Sequence, residues 1–153
     1  MWEIKIVTVG KTRNKNISEE VKRIVSQISN GWKISFDHIT VSDKKDVFSR
    51  TKDETLFLLS KIQKNSIPFF LSAEGKEYNS EDFSTILSKH KDLGEKICFI
   101  IGGAYGLERN LIPKNGKLLS LSMMTFSHEM ALLVLVEQIY RAYTMYNHIP
   151  YAK

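Results

Sequence analysis

The chain has one cysteine in 153 residues, Cys98, so no intramolecular disulfide is available and a cysteine-rich metal site is argued against. A chain without disulfides fits a reducing compartment. Residues 1–10 lack the basic start and long apolar run of a secretory signal, and the expected location is cytoplasmic. Long hydrophobic runs are also missing. The longest strongly apolar stretch, at 130–136, falls far short of the roughly 20 residues that cross a bilayer, so no membrane partner is expected. No H-x-x-x-H or equivalent ligand spacing occurs, and no metal is expected. Repeats, low-complexity tracts and linkers are absent, which leaves one domain over 1–153 as the expected organisation.

What is present is ordinary for a globular chain: 42% hydrophobic and 25% charged residues, with length enough to bury a core. The formal net charge of +5 suits an anionic partner such as RNA without requiring one. Lys11, Arg13, Lys15, Lys22 and Arg23 form the densest basic group, and Lys44 with Lys45 a smaller one. Both groups also read as solvated surface, the simpler account for Lys44 and Lys45.

Short β-branched runs alternate with amphipathic patterns. Strands are expected over 4–9, 33–41, 67–71, 97–101 and 118–122. Ser18 reads as the cap of a first helix, with Glu19 and Glu20 in its first turn and Val21, Ile24, Val25 and Ile28 on one face, ending near Asn30-Gly31. A second helix is expected over 46–63 with Leu56, Leu59 and Ile62 as its inner stripe. Ser80 reads as the cap of a third, whose Phe83, Ile86 and Leu87 share a face. The last helix spans 128–146, after Ser127. The apolar run 97–101, bounded by glycines, predicts a central parallel strand. This alternation predicts an α/β fold with a mainly parallel sheet and flanking helices. Ligands in such sheets bind beyond the carboxyl ends of the strands, which points to 71–76, 102–107 and 121–128. Residues 130–136 are apolar around the whole helix, so the helix is either central to the core or covered by a second subunit.

The glycine cluster Ile-Gly-Gly-Ala-Tyr-Gly-Leu at 101–107 permits close approach of a ligand to the backbone. Its G-G-x-x-G spacing is not the dinucleotide fingerprint, and Gly10-Lys11 and Gly75-Lys76 lack the remainder of a P-loop. The run Leu-Ser-Met-Met-Thr-Phe-Ser-His at 121–128 offers small polar residues and backbone amides before a helix N-terminus; a capped loop with Phe126 in the core is the simpler account. Cys98 sits in a buried strand pattern and reads as core, not nucleophile. Glu137 calls for a partner, with Arg141 four residues on as the nearest candidate. The terminal Tyr151 and Lys153 read as a frayed end unless something ties them down.

Three segments together resemble the RlmH family of methyltransferases, which modify N3 of a pseudouridine in large-subunit ribosomal RNA: 101–107, 121–128 and Glu-Gln-Ile-Tyr-Arg-Ala at 137–142. Val-Gly-Lys at 9–11, Gly-Lys at 75–76 followed by Ser80-Glu81, and Pro-Tyr at 150–151 also match, so the resemblance runs end to end. It implies a SPOUT-like fold with a C-terminal trefoil knot, a homodimer, ribosomal RNA or the ribosome as partner, and S-adenosylmethionine as cofactor. By the family pattern Leu71, Gly102, Leu121, Ser122, Met123, Met124, Thr125 and Phe126 surround that cofactor. His128, Arg141, Tyr151 and Lys153 fall on the acceptor side. Two positions depart from the pattern. The family usually ends in Tyr-His followed by a basic residue, whereas position 152 is alanine; it often has Arg where this chain has Leu132. Ala152 favours an alternative reading, a weakened RNA-binding or ribosome-associated protein that keeps the fold. A nicotinamide-dependent enzyme is argued against by the missing fingerprint.

Overall fold

A computed structural model describes residues 1–42 and 46–151. Five strands, β1 (Trp2–Val9), β2 (Trp32–Ile39), β3 (Ser66–Glu77), β4 (Lys96–Ile100) and β5 (Lys117–Ser120), alternate with helices α1 (Lys15–Ser26), α2 (Val47–Ser60), α3 (Ser80–Asp92) and α4 (His128–Tyr146). A 3₁₀ turn, Arg109–Leu111, precedes β5. The strands form one sheet in the order β2-β1-β4-β3-β5, and every pairing is parallel. The fold is therefore α/β, with an all-parallel sheet where a mainly parallel one was expected.

β4 occupies the middle of the sheet, as its continuous apolar run predicts. Ile97 and Phe99 face one core with Trp2, Ile4, Ile6, Leu135 and Ile139, under the layer of α1, α3 and α4. Cys98 and Ile100 face the other with Val7, Ile39, Leu58 and Phe70, under α2. A strand buried on both faces has no polar alternation, which is why it reads as an unbroken hydrophobic run.

Several local expectations are corrected. Asn14, not Ser18, caps α1: its side chain accepts the Ile17 N–H at 3.1 Å. Asparagine caps as well as serine, so the helix starts one turn earlier and Glu19 and Glu20 fall outside its first turn. Glu20 pairs instead with Arg23 at 2.6 Å. The helix also stops at Ser26, and the chain turns at Asn30 and Gly31, both at positive φ. Asn79 rather than Ser80 caps α3, accepting the Asp82 N–H at 2.7 Å, while the Ser80 hydroxyl donates to Gln138 on α4 at 2.7 Å. β5 ends two residues early because the Ser120 hydroxyl donates to the Ser122 carbonyl at 2.8 Å and turns the chain.

Two differences affect the site. On α2 the buried face is Thr51, Glu54, Thr55 and Leu58, whereas Leu56 is exposed and Leu59 and Ile62 are only half-buried. A mostly polar face points at the protein, so an apolar stripe misplaces the helix rotation. β3 runs on past residue 71 to Glu77, with a register shift between Leu71 and Lys76 against β5. The extra residues bulge out of the ladder instead of forming a free loop. Gly75 lets the strand return: a Cβ there would lie 2.7 Å from the backbone of Leu118 and Leu119.

α4 packs beside α1 and α3. Leu132, Leu135 and Val136 of its apolar run are buried within this chain, while Met130 is exposed. No described helix is long and apolar enough to cross a membrane.

Candidate active site

The carboxyl ends of β3, β4 and β5 surround a cavity of about 330 Å³. Its walls come from the three segments singled out by the sequence. The β3 bulge supplies Leu71, Ser72, Ala73 and Glu74, and the glycine loop after β4 supplies residues 101–107. The stretch after β5 supplies Leu121, Ser122, Met124, Thr125 and Phe126, with His128 and Ala131 from the start of α4. Parallel strands end side by side, so loops far apart in sequence converge at one edge.

Each wall is held by local hydrogen bonds. The glycine loop closes on itself, the Gly106 N–H donating to the Gly103 carbonyl at 3.0 Å, with Gly106 at positive φ. Gly102 is packed under that turn; a Cβ on it would lie 2.8 Å from the Gly106 carbonyl oxygen. In the third wall the Ser122 hydroxyl accepts the Met124 N–H at 3.0 Å. Ser127 caps α4, accepting the Met130 N–H at 3.3 Å, so the helix N-terminus faces this side of the cavity. At the mouth Arg109 and Glu74, both lining residues, form an ion pair between the 3₁₀ turn and the β3 bulge. Arg109 carries no sequence signal beyond being a basic residue shortly after the glycine loop.

Leu71, Gly102, Leu121, Ser122, Met124, Thr125 and Phe126 therefore all line one cavity. Met123 is not among the lining residues and is 83% exposed. His128, expected on the acceptor side, lines the cavity. Phe126 is 37% exposed and is a wall residue rather than a core one.

Arg141 and Tyr151 form a second cluster. Arg141 Nη2 donates to Glu137 Oε1 at 2.7 Å, the i,i+4 pair anticipated from sequence. The Tyr151 hydroxyl donates to the same oxygen at 3.1 Å, and its ring lies 4.8 Å below the guanidinium and edge-on to Tyr140 at 4.9 Å. Burial pushes the Tyr151 phenol above its ordinary range, and its hydrogen bond to Glu137 adds to the shift. Gln138 also donates to Glu137, at 2.9 Å, and links the cluster through Ser80 to α3. The tail is thus tied down as far as Tyr151. Lys153, with Lys44 and Lys45, lies outside the described residues. Among the described residues no group of three or more His, Cys, Asp or Glu is placed to hold a metal.

A family model described as "Predicted SPOUT methyltransferase" matches residues 2–152. The ribosomal RNA large subunit methyltransferase H of Acholeplasma laidlawii is 36% identical, covering 99% of each chain. That of Flavobacterium psychrophilum is 36% identical over 97% of each chain. That of Mycoplasmopsis synoviae is 34% identical over 98% of this chain and 99% of its own. A crystal structure of a methylase family protein from Neisseria gonorrhoeae shares the fold at a TM-score of 0.51 and 12% identity, over 99% of this chain and 96% of that one. Family match and near-complete relatives converge on one conclusion: this chain belongs to the SPOUT methyltransferase family, among the ribosomal RNA large subunit methyltransferase H proteins.

Proposed function

We propose that this protein transfers a methyl group from S-adenosylmethionine to N3 of a pseudouridine in 23S ribosomal RNA. It does so on assembled ribosomes, in the cytoplasm, as a homodimer of single SPOUT-like domains, each knotted near its C-terminus. The observation that carries this reading is the cavity at the carboxyl edge of the sheet, lined by the family's segments. The name carried by the relatives supports the RNA substrate.

The residues present fit the cofactor. The cavity lies in the range of small-molecule sites, with apolar walls at Leu71, Leu119, Leu121 and Ala131 and a glycine cradle that a Cβ at Gly102 would fill. Leu71, Gly102, Leu121, Ser122, Met124, Thr125 and Phe126 would hold it. When bound, S-adenosylmethionine supplies a methyl group already activated on a sulfonium. The chain's own work is to align the acceptor, exclude water and favour loss of the imide proton. Arg141 suits the last task, because a guanidinium beside an imide stabilises its anion. Tyr151, held by Glu137, packs beside that guanidinium. Lys153 is assigned to the acceptor side with them.

The geometry bears on the assembly. His128 and Ala131 of α4 line the cavity, and Arg141 lies ten residues beyond Ala131 along the same helix. At 1.5 Å per residue that is about 15 Å along the axis, against roughly 3–3.5 Å for reacting atoms. This separation favours a site whose donor pocket and acceptor cluster come from different chains. A second copy, packed so that its Arg141 and Tyr151 reach this cavity, removes the gap. Exposed Met124, on the cavity wall, and Met130, next to the lining residue Ala131, offer the apolar surface for such packing.

The test is transfer of labelled methyl from S-adenosylmethionine to ribosomes from cells lacking the modification, with the product nucleoside identified. Label on N3 of a pseudouridine is the expected result. A folded dimer that binds the cofactor and transfers no label sinks the reading. Alanine at 152, where the family has histidine, favours one second reading: a weakened RNA-binding protein in which Ala152→His raises activity markedly.

A further inference from the structure

The glycine loop is held from outside the cavity by a helix that contributes nothing to its wall. Glu54, on α2, is 2% exposed. A Cβ on Gly103 would lie 3.1 Å from Glu54 Oε1 and 3.4 Å from Oε2, so the carboxylate fills the space behind that glycine. Arg50, one turn earlier, faces the carboxylate with its Nε 3.5 Å from Oε2. The next residue, Thr55, is fully buried. Its hydroxyl donates to the Thr51 carbonyl at 2.8 Å and accepts the Glu108 backbone N–H at 3.0 Å. The donor is committed to the helix, which leaves a fixed lone pair for the loop.

The two contacts sit at either end of 103–108, the segment that turns back on itself at Gly106. Polar groups buried under a sheet are costly unless their partners are in place. An apolar face on α2 would pack against the sheet without that cost. What Glu54 and Thr55 add is a defined height and angle for the loop that walls the cavity.

We propose that Glu54 and Thr55 are positioning residues of the cofactor pocket, acting through the backbone of Gly103 and Glu108. This rests on the reading of the cavity as the S-adenosylmethionine site. Neither residue lines the cavity. Their effect falls on cofactor affinity and not on the acceptor cluster around Glu137.

The test compares Thr55→Val, which keeps the volume but loses the acceptor, with Thr55→Ser, which keeps the hydroxyl. Leu58→Ala is the control: it is on the same helix, fully buried, and in the core rather than under the loop. Affinity for S-adenosylmethionine is read by calorimetry, stability by thermal unfolding, and turnover at saturating cofactor. Loss of this half-buried N–H's partner raises the dissociation constant of Thr55→Val about tenfold. Thr55→Ser stays within about twofold and kcat at saturation within about threefold. Glu54→Ala, which empties the space behind Gly103, carries the same expectation if Thr55→Val does not fold. Unchanged affinity in both variants overturns the proposal. So does Leu58→Ala weakening binding as much as they do for an equal loss of Tm. A wild-type chain that binds no S-adenosylmethionine overturns the reading of the cavity and this proposal with it, whereas wild-type binding with unaffected variants overturns the proposal alone.

Discussion

Tyr151, near the C-terminus, donates its hydroxyl to Glu137 Oε1 at 3.1 Å, and so closes the tail onto the middle of α4. Arg141 holds the same oxygen at 2.7 Å, so one carboxylate orients both groups assigned to the acceptor side. Removing it in Glu137→Ala frees the tail and the guanidinium together. Charge-assisted hydrogen bonds contribute about 1.5–3 kcal/mol. The expected result is a fall in kcat of at least about tenfold with cofactor affinity unchanged, measured by methyl transfer and calorimetry. A cofactor affinity that falls in step with kcat counts against two separate clusters.

The same contact sets a pH dependence. Burial, and then hydrogen bonding to Glu137, push the Tyr151 phenol above its ordinary value. The protonated form is the one the fold favours. Its contribution is therefore fully present below about 10, the ordinary tyrosine value, and is lost as pH rises through the higher folded value. Tyr146 is shifted the same way, first by its hydrogen bond to Asp92. Ultraviolet titration of tyrosinate should lose a late step in Tyr151→Phe. Loss of an ordinary step instead would show that the tail is undocked in solution.

Gly102→Ala places a methyl 2.8 Å from the Gly106 carbonyl oxygen, inside the turn of the glycine loop. Overpacking of this kind costs about 1–3 kcal/mol, so cofactor affinity should fall roughly ten- to a hundredfold while the sheet still forms. The variant also tests the assembly. Mixed with Tyr151→Phe and allowed to exchange subunits, it should regain activity if pocket and tail act across two chains, up to about a quarter of wild type for random pairing. Mixtures no more active than their components would place both groups of one site in one chain.

Cys98 is fully buried in β4, and burial raises its thiol to about 11. The fold favours the neutral thiol, so this contribution is present below the ordinary thiol range and lost as pH rises past about 11. At pH 8 the thiolate fraction falls from about a quarter for an ordinary thiol to about 10⁻³. A thiol reagent at pH 8 should label the native protein only as fast as it opens, and at once in denaturant. Rapid native labelling would mean that the central strand is not closed over.

The site was legible where chemistry and topology coincide. Glycines after the most apolar run and small polar residues before the last helix marked two of the cavity walls, because parallel strands deliver ligands to that edge. The third wall lies where the expected strand ends at residue 71, and its bulged continuation leaves no mark in hydrophobic periodicity. Glu54 and Thr55 escaped notice for a related reason. They occupy the inner face of a helix at the spacing expected of leucines, and a stripe rule looks past polar residues. Met123 shares a motif with its neighbours, and its absence from the cavity wall is visible only in the structure.

By itself the sequence determined the alternation of strands and helices, the central place of residues 97–100, the start of α4 after Ser127, and the three segments that form the cavity. These follow from local periodicity, capping chemistry and the burial demanded by unbroken apolar runs. Which polar face of α2 turns inward, where β3 bulges, and how Tyr151 docks on the Glu137 oxygen that Arg141 also holds were decided by the tertiary structure. Each depends on a partner remote in sequence or on the closing of a packed interior, and no local pattern carries that information.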